Sequence, residues 1–362
     1  MTTATAYIGL GSNLGDRQSY IDKALKMLAC AENVSLIRVS DIIETAALGD
    51  SQQRAFLNAV AQVETTLDAQ SLHRILIDIE NNLGRERTGK WSARTIDLDL
   101  LLFDDKIIKT AALTVPHPQM HLRSFVLRGL CQLNVDLQHP VMKVSAGELA
   151  RRLNGCDFFV SADRPLLISI AGNIGAGKTT LAKKLAELLG GEVLFEPYDT
   201  NPFLPQVYAG KKELALDSQL FFLTGRAAQI DKESLKAGQV YISDYIFEKE
   251  TIYADTLLEP QQLSLYRQIY LPFAEMVFDP VLVIYLEDSG QNCLERIARR
   301  GRPYEQKIDL QFLQKLDAGY RRLFADWQKS PLIRLFTPQL DYADKSGIEH
   351  LTSQIRYYIF LP

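Results

Sequence analysis

A chain of 362 residues has room for about two domains of ordinary size, and 47% hydrophobic against 23% charged residues is the composition of a globular protein. The formal net charge of -4 excludes a polyanion binder by gross charge, so no nucleic-acid partner is expected and phosphate recognition must come from local clusters. Cys30, Cys131, Cys156 and Cys293 stand apart with no CxxC pair, no apolar run approaches the roughly 20 residues of a membrane span, and the N-terminus lacks a signal-peptide pattern, which points to reduced thiols, a cytoplasmic location and no membrane partner.

Residues 5–11 (TAYIGLG) read as a first strand, and Ile21, Leu25 and Leu28 give 19–30 a helical spacing. Strand-like apolar runs follow at 34–43 and 57–66, then a helix carrying Leu72, Ile75, Leu76 and Ile79. TIDLDLLLF (95–103) alternates and then turns wholly apolar, with Asp104–Asp105 as the turn after it. Strand–helix units with extra strands between them make a compact α+β layer. After residue 150 the texture changes. LLISIAGNIGAGKTTLAKKLAELLG (166–190) is an apolar strand, a glycine-rich turn and an amphipathic helix in succession. VYISD (240–244) and PVLVIYLE (280–287) have the continuous apolar character of parallel strands buried on both faces, and the tail Tyr357–Leu361 is apolar enough to dock as a last helix or strand. The expected division is a first domain over 1–157, a linker over 158–165, and a parallel α/β domain over 166–362.

Asp97 and Asp99 lie two apart on a predicted strand, so both project from one face while Ile96, Leu98 and Leu100 point into a core. Magnesium suits such a pair, because it takes one or two carboxylates and completes its shell with phosphate oxygens and water. Just upstream, Arg85, Arg87, Lys90 and Arg94 face a single acid, Glu86. Either feature alone is common, as a chance pair on a strand or a solvated basic loop; together they suit a metal-bound triphosphate. Trp91, in the same polar loop, reads as a cap over a bound ligand or as a packing residue.

These pieces, with YIGLGSNLGDR at the start, FLNAV at 56–60, GRERTGKWSARTIDLDLLLF at 84–103 and VPHPQMHLRSFVL at 115–127, resemble the 6-hydroxymethyl-7,8-dihydropterin pyrophosphokinases in order and spacing. The resemblance implies a ferredoxin-like α+β fold, ATP with two magnesium ions, and pyrophosphoryl transfer to the pterin hydroxymethyl group. It makes Asp97 and Asp99 the magnesium ligands, and Arg85, Arg94, His117 and Arg123 contacts of the triphosphate, with Arg85 and Arg94 also catalytic. Asn58 matches the amide that reads the pterin, and Phe56 and Phe125 match the aromatic pair that sandwiches it. Gly11, Thr45, Leu48 and Trp91 fall among the remaining substrate positions. Two departures stand out: Pro118 follows His117 where some members have tyrosine, and Ser92–Ala93 replaces a common Gly–Pro.

In the second half, Gly172 to Thr179 fits GxxxxGK[ST] between a predicted strand and a predicted helix. Gly172, Gly175 and Gly177 let backbone N–H groups wrap phosphates, Lys178 reaches the β/γ oxygens, Thr179 can ligate one magnesium, and Thr180 follows on the helix, whose N-terminus adds partial positive charge. The pattern names a nucleotide without naming a reaction. Glu196, ending the next apolar run, can face the γ-phosphate, while Arg296 and Arg300 share a helical face with Arg302 beyond, as a basic lid requires. The alternative for that run is a solvated basic helix.

GNIGAGKTT, FEPYDTNPFL, VYAGKKELALDSQLFFLTGRAAQ, SDYIFEKETIYA and RRGRPYEQ resemble the deoxynucleoside kinases, particularly their bacterial purine branch, over about 166–360. That resemblance makes Glu196 the general base, Tyr208 and Glu305 holders of the 3′-hydroxyl, Gln219 the amide that pairs with the base, and Arg300 and Arg302 the catalytic lid. Arg226 is expected to donate a two-pronged fork to a purine edge, with Asp244 at the substrate. One departure is Asp244-Tyr245-Ile246 where the family usually has acid-Arg-Ser, so the adjacent arginine is lost. The expectation is a bifunctional enzyme using ATP, dihydropterin and a deoxynucleoside, and a homodimer through its kinase domain. The alternatives are that one half is a degenerate regulatory or dimerising module, or that the P-loop half is a nucleotide switch.

Overall fold

Alternation of small and branched apolar residues along ATAYIGLGS builds the centre of the first sheet, and the computed structural model describes it with the rest of residues 2–47, 53–85, 93–161, 163–339 and 345–360. Two compact units result, Met1–Phe159 and Val160–Phe360.

The first unit runs β1 (Ala4–Ser12), α1 (Arg17–Ala29), β2 (Val34–Val39), β3 (Ile43–Thr45), β4 (Phe56–Thr65), α2 (Ala69–Asn82), β5 (Asp97–Phe103), β6 (Ile108–Lys109), β7 (Thr114–Val115), α3 (Ser124–Asn134) and α4 (Ala146–Leu153). Asp16 and Asp68 start α1 and α2 by accepting the backbone N–H of Ser19 and Ser71. The antiparallel sheet has the order β2-β4-β1-β5, with β3 also on β4. This is the ferredoxin-like arrangement. Ile8, Leu10, Ile21, Leu28, Leu72, Leu76 and Leu98 pack between sheet and helices, so the sheet's other face is free to carry polar side chains.

The 34–43 run is two strands, not one. Ser40 breaks it: its N–H donates to Val60 O and its hydroxyl accepts from Val60 N, both at 2.9 Å, so a side chain stands in for the ladder at that step.

The second unit runs β8 (Leu166–Gly172), α5 (Lys178–Leu189), β9 (Glu192–Leu194), α6 (Leu204–Tyr208), α7 (Ala215–Gln229), β10 (Val240–Ser243), α8 (Lys249–Leu257), α9 (Pro260–Met276), β11 (Leu282–Glu287), α10 (Gly290–Arg300), α11 (Leu310–Ala325), β12 (Leu332–Phe336) and α12 (Lys345–Ile359). All pairings in its sheet are parallel, in the order β12-β11-β8-β10-β9. Every residue of β8 is buried. The carboxyl end of this central strand is where an open parallel sheet leaves its ligand crevice, and the glycine-rich turn begins there. No helix among the described residues is long and apolar enough to cross a membrane.

Candidate active sites

In the first unit the strand register does most of the assembly. Gly11 on β1 stands opposite Asn58 on β4 and opposite Asp97 on β5, and Gly9 stands opposite Asp99. A Cβ on Gly11 would lie 3.1 Å from Asn58 Oδ1 and 3.9 Å from Asp97 Cβ, so glycine leaves an open slot between an amide and a carboxylate. A cavity opens over that slot, lined by Thr45, Phe56, Asn58, Arg94, Asp97 and Phe125 among others. Asn58 Nδ2 donates to Thr45 Oγ1 at 2.8 Å, which fixes the amide's orientation. A second opening, lined by Arg74, Glu80, Arg85 and the 110–113 turn, also reaches Asp97 and Asp99. The carboxylate pair therefore borders two cavities of different character, one aromatic and amide-walled, the other cationic.

Three arginines and a histidine surround the pair. Arg85 and Arg94 both contact Asp97, while Arg123 Nη1 lies 3.4 Å and His117 Nε2 lies 3.8 Å from Asp99. Burial and the neighbouring Asp99 raise Asp97 despite Arg94 and Arg85, whereas for Asp99 the opposing pull of His117 and Arg123 outweighs burial and lowers it. Burial also lowers His117, which favours its neutral form. Two carboxylates on one strand face are oxygen donors of the kind a hard divalent cation takes. Among the described residues no group of three or more His, Cys, Asp or Glu could hold a metal, so a cation here needs phosphate oxygens and water to complete its shell. Leu48, Glu86, Arg87, Lys90, Trp91 and Ser92 lie outside the described residues.

The sequence reading missed Glu80. It sits on the apolar face of α2, just after Ile79, and is 3% exposed. Its carboxylate accepts from Leu98 N at 2.7 Å and pairs with Arg85, so it aims that guanidinium and anchors the strand between the two aspartates. An acid at a buried helical position is the one signal that could have found it.

In the second unit, Gly175 has φ +80°, and a Cβ on it would stand 2.6 Å from Cys293 O on α10, so the glycine-rich turn needs glycine here for conformation and for space. Gly172 and Gly177 also have positive φ, and Gly177 caps α5. Lys178 Nζ donates to Asn173 O at 2.8 Å, closing the turn, and Thr179 Oγ1 donates to Asp244 Oδ2 at 2.6 Å. The other oxygen of Asp244 accepts the backbone N–H of Glu196 at 2.7 Å. Asp244 thus ties the start of α5 to the segment carrying Glu196. Thr180 is exposed on the first turn of α5 and lies off the cavity wall.

Glu196, Tyr208, Arg226, Lys249, Arg300 and Arg302 line one cavity with Lys178 and Thr179. Burial raises Glu196, but Lys249, Arg226 and Lys178 together hold its carboxyl well below the usual carboxylate range. Burial lowers Lys178, and Glu196 and Asp244 pull against that. Burial, Glu196 and Glu305 keep the Tyr208 phenol protonated. Arg300 and Arg302 are already engaged. Arg300 forks onto Glu305 at 2.6–3.1 Å, and Arg302 reaches Glu305 at 3.4 Å and stacks 4.1 Å above the Tyr198 ring. Arg296 Nε donates to Gly175 O at 2.6 Å, which latches α10 to the glycine-rich turn.

The free guanidinium fork expected at Arg226 is not what the fold provides. Arg226 is 2% exposed, one terminal nitrogen is claimed by Glu250 and the other by Glu196. The fully buried Glu250 would otherwise be stranded, and the arginine is the charge that satisfies it while sharing Glu196 with Lys249. Gln219 is 1% exposed on α7, and its Oε1 meets no hydrogen-bond donor among the described residues.

The family profile of 7,8-dihydro-6-hydroxymethylpterin-pyrophosphokinase matches residues 7–135, and that of deoxynucleoside kinase matches residues 168–359. A 2-amino-4-hydroxy-6-hydroxymethyldihydropteridine pyrophosphokinase of Bacillus subtilis (strain 168) is 38% identical over 162 residues, covering 44% of this chain and 97% of the relative. A deoxyguanosine kinase of the same organism is 35% identical over 200 residues, covering 53% of this chain and 97% of the relative. A solved deoxyadenosine kinase from M. mycoides with bound dATP is 26% identical over 53% of this chain and 99% of its own, with a TM-score of 0.47. By the two family profiles and the two Bacillus subtilis relatives the chain belongs to two families, to the dihydropterin pyrophosphokinases through its first unit and to the deoxynucleoside kinases through its second.

Proposed function

We propose that both sites are active: one chain transfers pyrophosphate from ATP to 6-hydroxymethyl-7,8-dihydropterin and, in its second unit, the γ-phosphoryl of ATP to the 5′-hydroxyl of a 2′-deoxynucleoside in nucleotide salvage. The observation that carries the first reading is the Asp97/Asp99 pair bordering two cavities at once, since the reaction must bring a flat heterocycle and a triphosphate to one point. The pterin lies along Gly11, Thr45, Leu48, Phe56, Asn58, Trp91 and Phe125, with aromatic faces gaining from the flat ring. Its hydroxyl oxygen bonds to the β-phosphorus, the bond from that phosphorus to the α–β bridging oxygen breaks, and AMP leaves with the electron pair. Arg85, Arg94, His117 and Arg123 hold the triphosphate oxygens and offset the charge that moves. Asp97 and Asp99 would hold two magnesium ions, which would supply further neutralisation of the phosphates.

In the second unit the phosphates lie along the glycine-rich turn with Lys178, and Thr179 holds one magnesium. Glu196 takes the proton of the 5′-hydroxyl as its oxygen bonds to the γ-phosphorus, the bond to the β–γ bridging oxygen breaks, and ADP departs. Tyr208 and Glu305 hold the 3′-hydroxyl, Arg300 and Arg302 close over the phosphates, Asp244 orders the substrate side, and Gln219, with its unpaired oxygen, pairs with the base. The match to a deoxyguanosine kinase supports a purine acceptor. Exposed Leu265, Leu271 and Met276 on α9 support a homodimer through this unit.

The test is product analysis on the full chain with each acceptor in turn. Pterin should yield AMP and deoxynucleoside should yield ADP. Formation of only one of these, with both acceptors supplied, would make the other unit the degenerate module.

A further inference from the structure

The departure at Tyr245 removes a cation from beside Asp244, and the side chain there has turned to other work. Tyr245 is 1% exposed, its hydroxyl donates to Gln229 Oε1 at 2.7 Å, and its ring lies 5.9 Å from the Arg226 guanidinium. It belongs to the core around α7 and α9. Four residues on, at the first position of α8, Lys249 points the other way. Its side chain is 3% exposed, and Nζ lies 2.7 Å from Glu196 Oε1 and 2.8 Å from Glu196 Oε2, with the Tyr253 ring 4.7 Å below. Arg226 reaches Oε1 of the same carboxylate; Lys249 spans both oxygens.

A lysine held out of water in a phosphate-binding cavity costs stability unless its charge is used. Arg226 is matched by Glu250 and Arg300 by Glu305, so each of those cations has an acid of its own. The partner of Lys249 is Glu196 itself. We propose that Lys249 is the positioning residue of the phosphoryl transfer, supplying from α8 the cation missing at Tyr245, and that it holds the Glu196 carboxylate in plane while the 5′-hydroxyl delivers its proton. When Glu196 is protonated its charge vanishes, and the Lys249 ammonium is left uncompensated beside the phosphoryl group in transit. This rests on Glu196 being the general base.

The ammonium is also poised to titrate. Burial lowers Lys249 to about 8, Glu196 pulls it up, and Arg226 from α7 and Lys178 from α5 push it down. Glu250 and Tyr253 are its neighbours on α8, and Asp244 after β10, Tyr208 on α6 and Arg300 on α10 line the same cavity; burial raises both phenols, which stay neutral. The group is active as the cation, so activity falls as pH rises through that value.

The experiment measures kcat, KM and the pH profile of kcat/KM for nucleoside phosphorylation in the full chain, in wild type, Lys249→Met, Lys249→Arg and Glu196→Gln. Pterin pyrophosphorylation on the same preparations reports an intact chain. Lys249→Met should lower kcat by on the order of 100-fold, the size of losing one preorganised donor, with little change in the nucleoside KM. Lys249→Arg should keep most of the rate and lose the alkaline fall near pH 8, because a guanidinium does not titrate there. Unchanged kcat in Lys249→Met, or an alkaline fall that survives in Lys249→Arg, overturns the proposal. Should Lys249→Met fail to fold, the Lys249→Arg profile decides alone. Full turnover in Glu196→Gln would remove the general-base reading and the lysine's role with it, whereas a dead Glu196→Gln beside a fully active Lys249→Met removes the lysine's role alone.

Discussion

A guanidinium forks onto a base edge only while its terminal nitrogens are unclaimed, and at Arg226 Glu196 and Glu250 claim both. Arg226→Met therefore strips Glu250 of its ion-pair partner and leaves Glu196 with Lys249 alone, a change that costs about 3–5 kcal/mol when a buried pair is broken. The expected outcome is a lower urea midpoint for the kinase unit and a kcat/KM reduced for all deoxynucleosides alike, with their ranking kept. A reordered ranking at unchanged stability would restore Arg226 as a reader of the base. Why was this not legible beforehand? Arg226 follows Gln219 on nearly the same helical face, and that spacing is visible, but the acids that capture it come from other elements. Asp97, Asp99 and the glycine-rich turn were legible because each is a local pattern whose geometry follows from strand period or turn chemistry. Glu80 and Lys249 depend on what packs opposite them, which spacing does not encode.

At the scale of elements, the glycine-rich turn and α10 are one device. Gly175 has φ +80° and packs too close to α10 for a Cβ, which would stand 2.6 Å from Cys293 O, and Arg296 pins the same peptide. Gly175→Ala should force the two apart at a strain of about 1–3 kcal/mol. The measurable result is a raised KM for ATP in nucleoside phosphorylation and a lower melting temperature, with pterin pyrophosphorylation unchanged. Unaltered ATP affinity would separate the loop from the helix. Most strands and helices were readable from apolar periodicity, since β1, α2, β5, β8 and α5 carry it plainly. The break at Ser40 was not, because a serine replacing one rung of the ladder leaves the apolar pattern intact.

At the scale of the whole molecule, each unit has its own core and its own candidate site. Asp97→Ala should abolish AMP formation with the pterin and leave nucleoside phosphorylation within about twofold, while Lys178→Ala should do the reverse; surface-remote changes in independent sites do not couple. Both activities falling together in a folded Asp97→Ala protein would defeat the two-site reading. Two cores on one polypeptide also fix a ratio. Every copy synthesised carries one pterin site and one nucleoside site, so transcription, translation and degradation scale both capacities by the same factor. A cell that needs more of one product without the other must act on substrate supply or on the sites themselves, because changing the amount of this chain can never change their proportion.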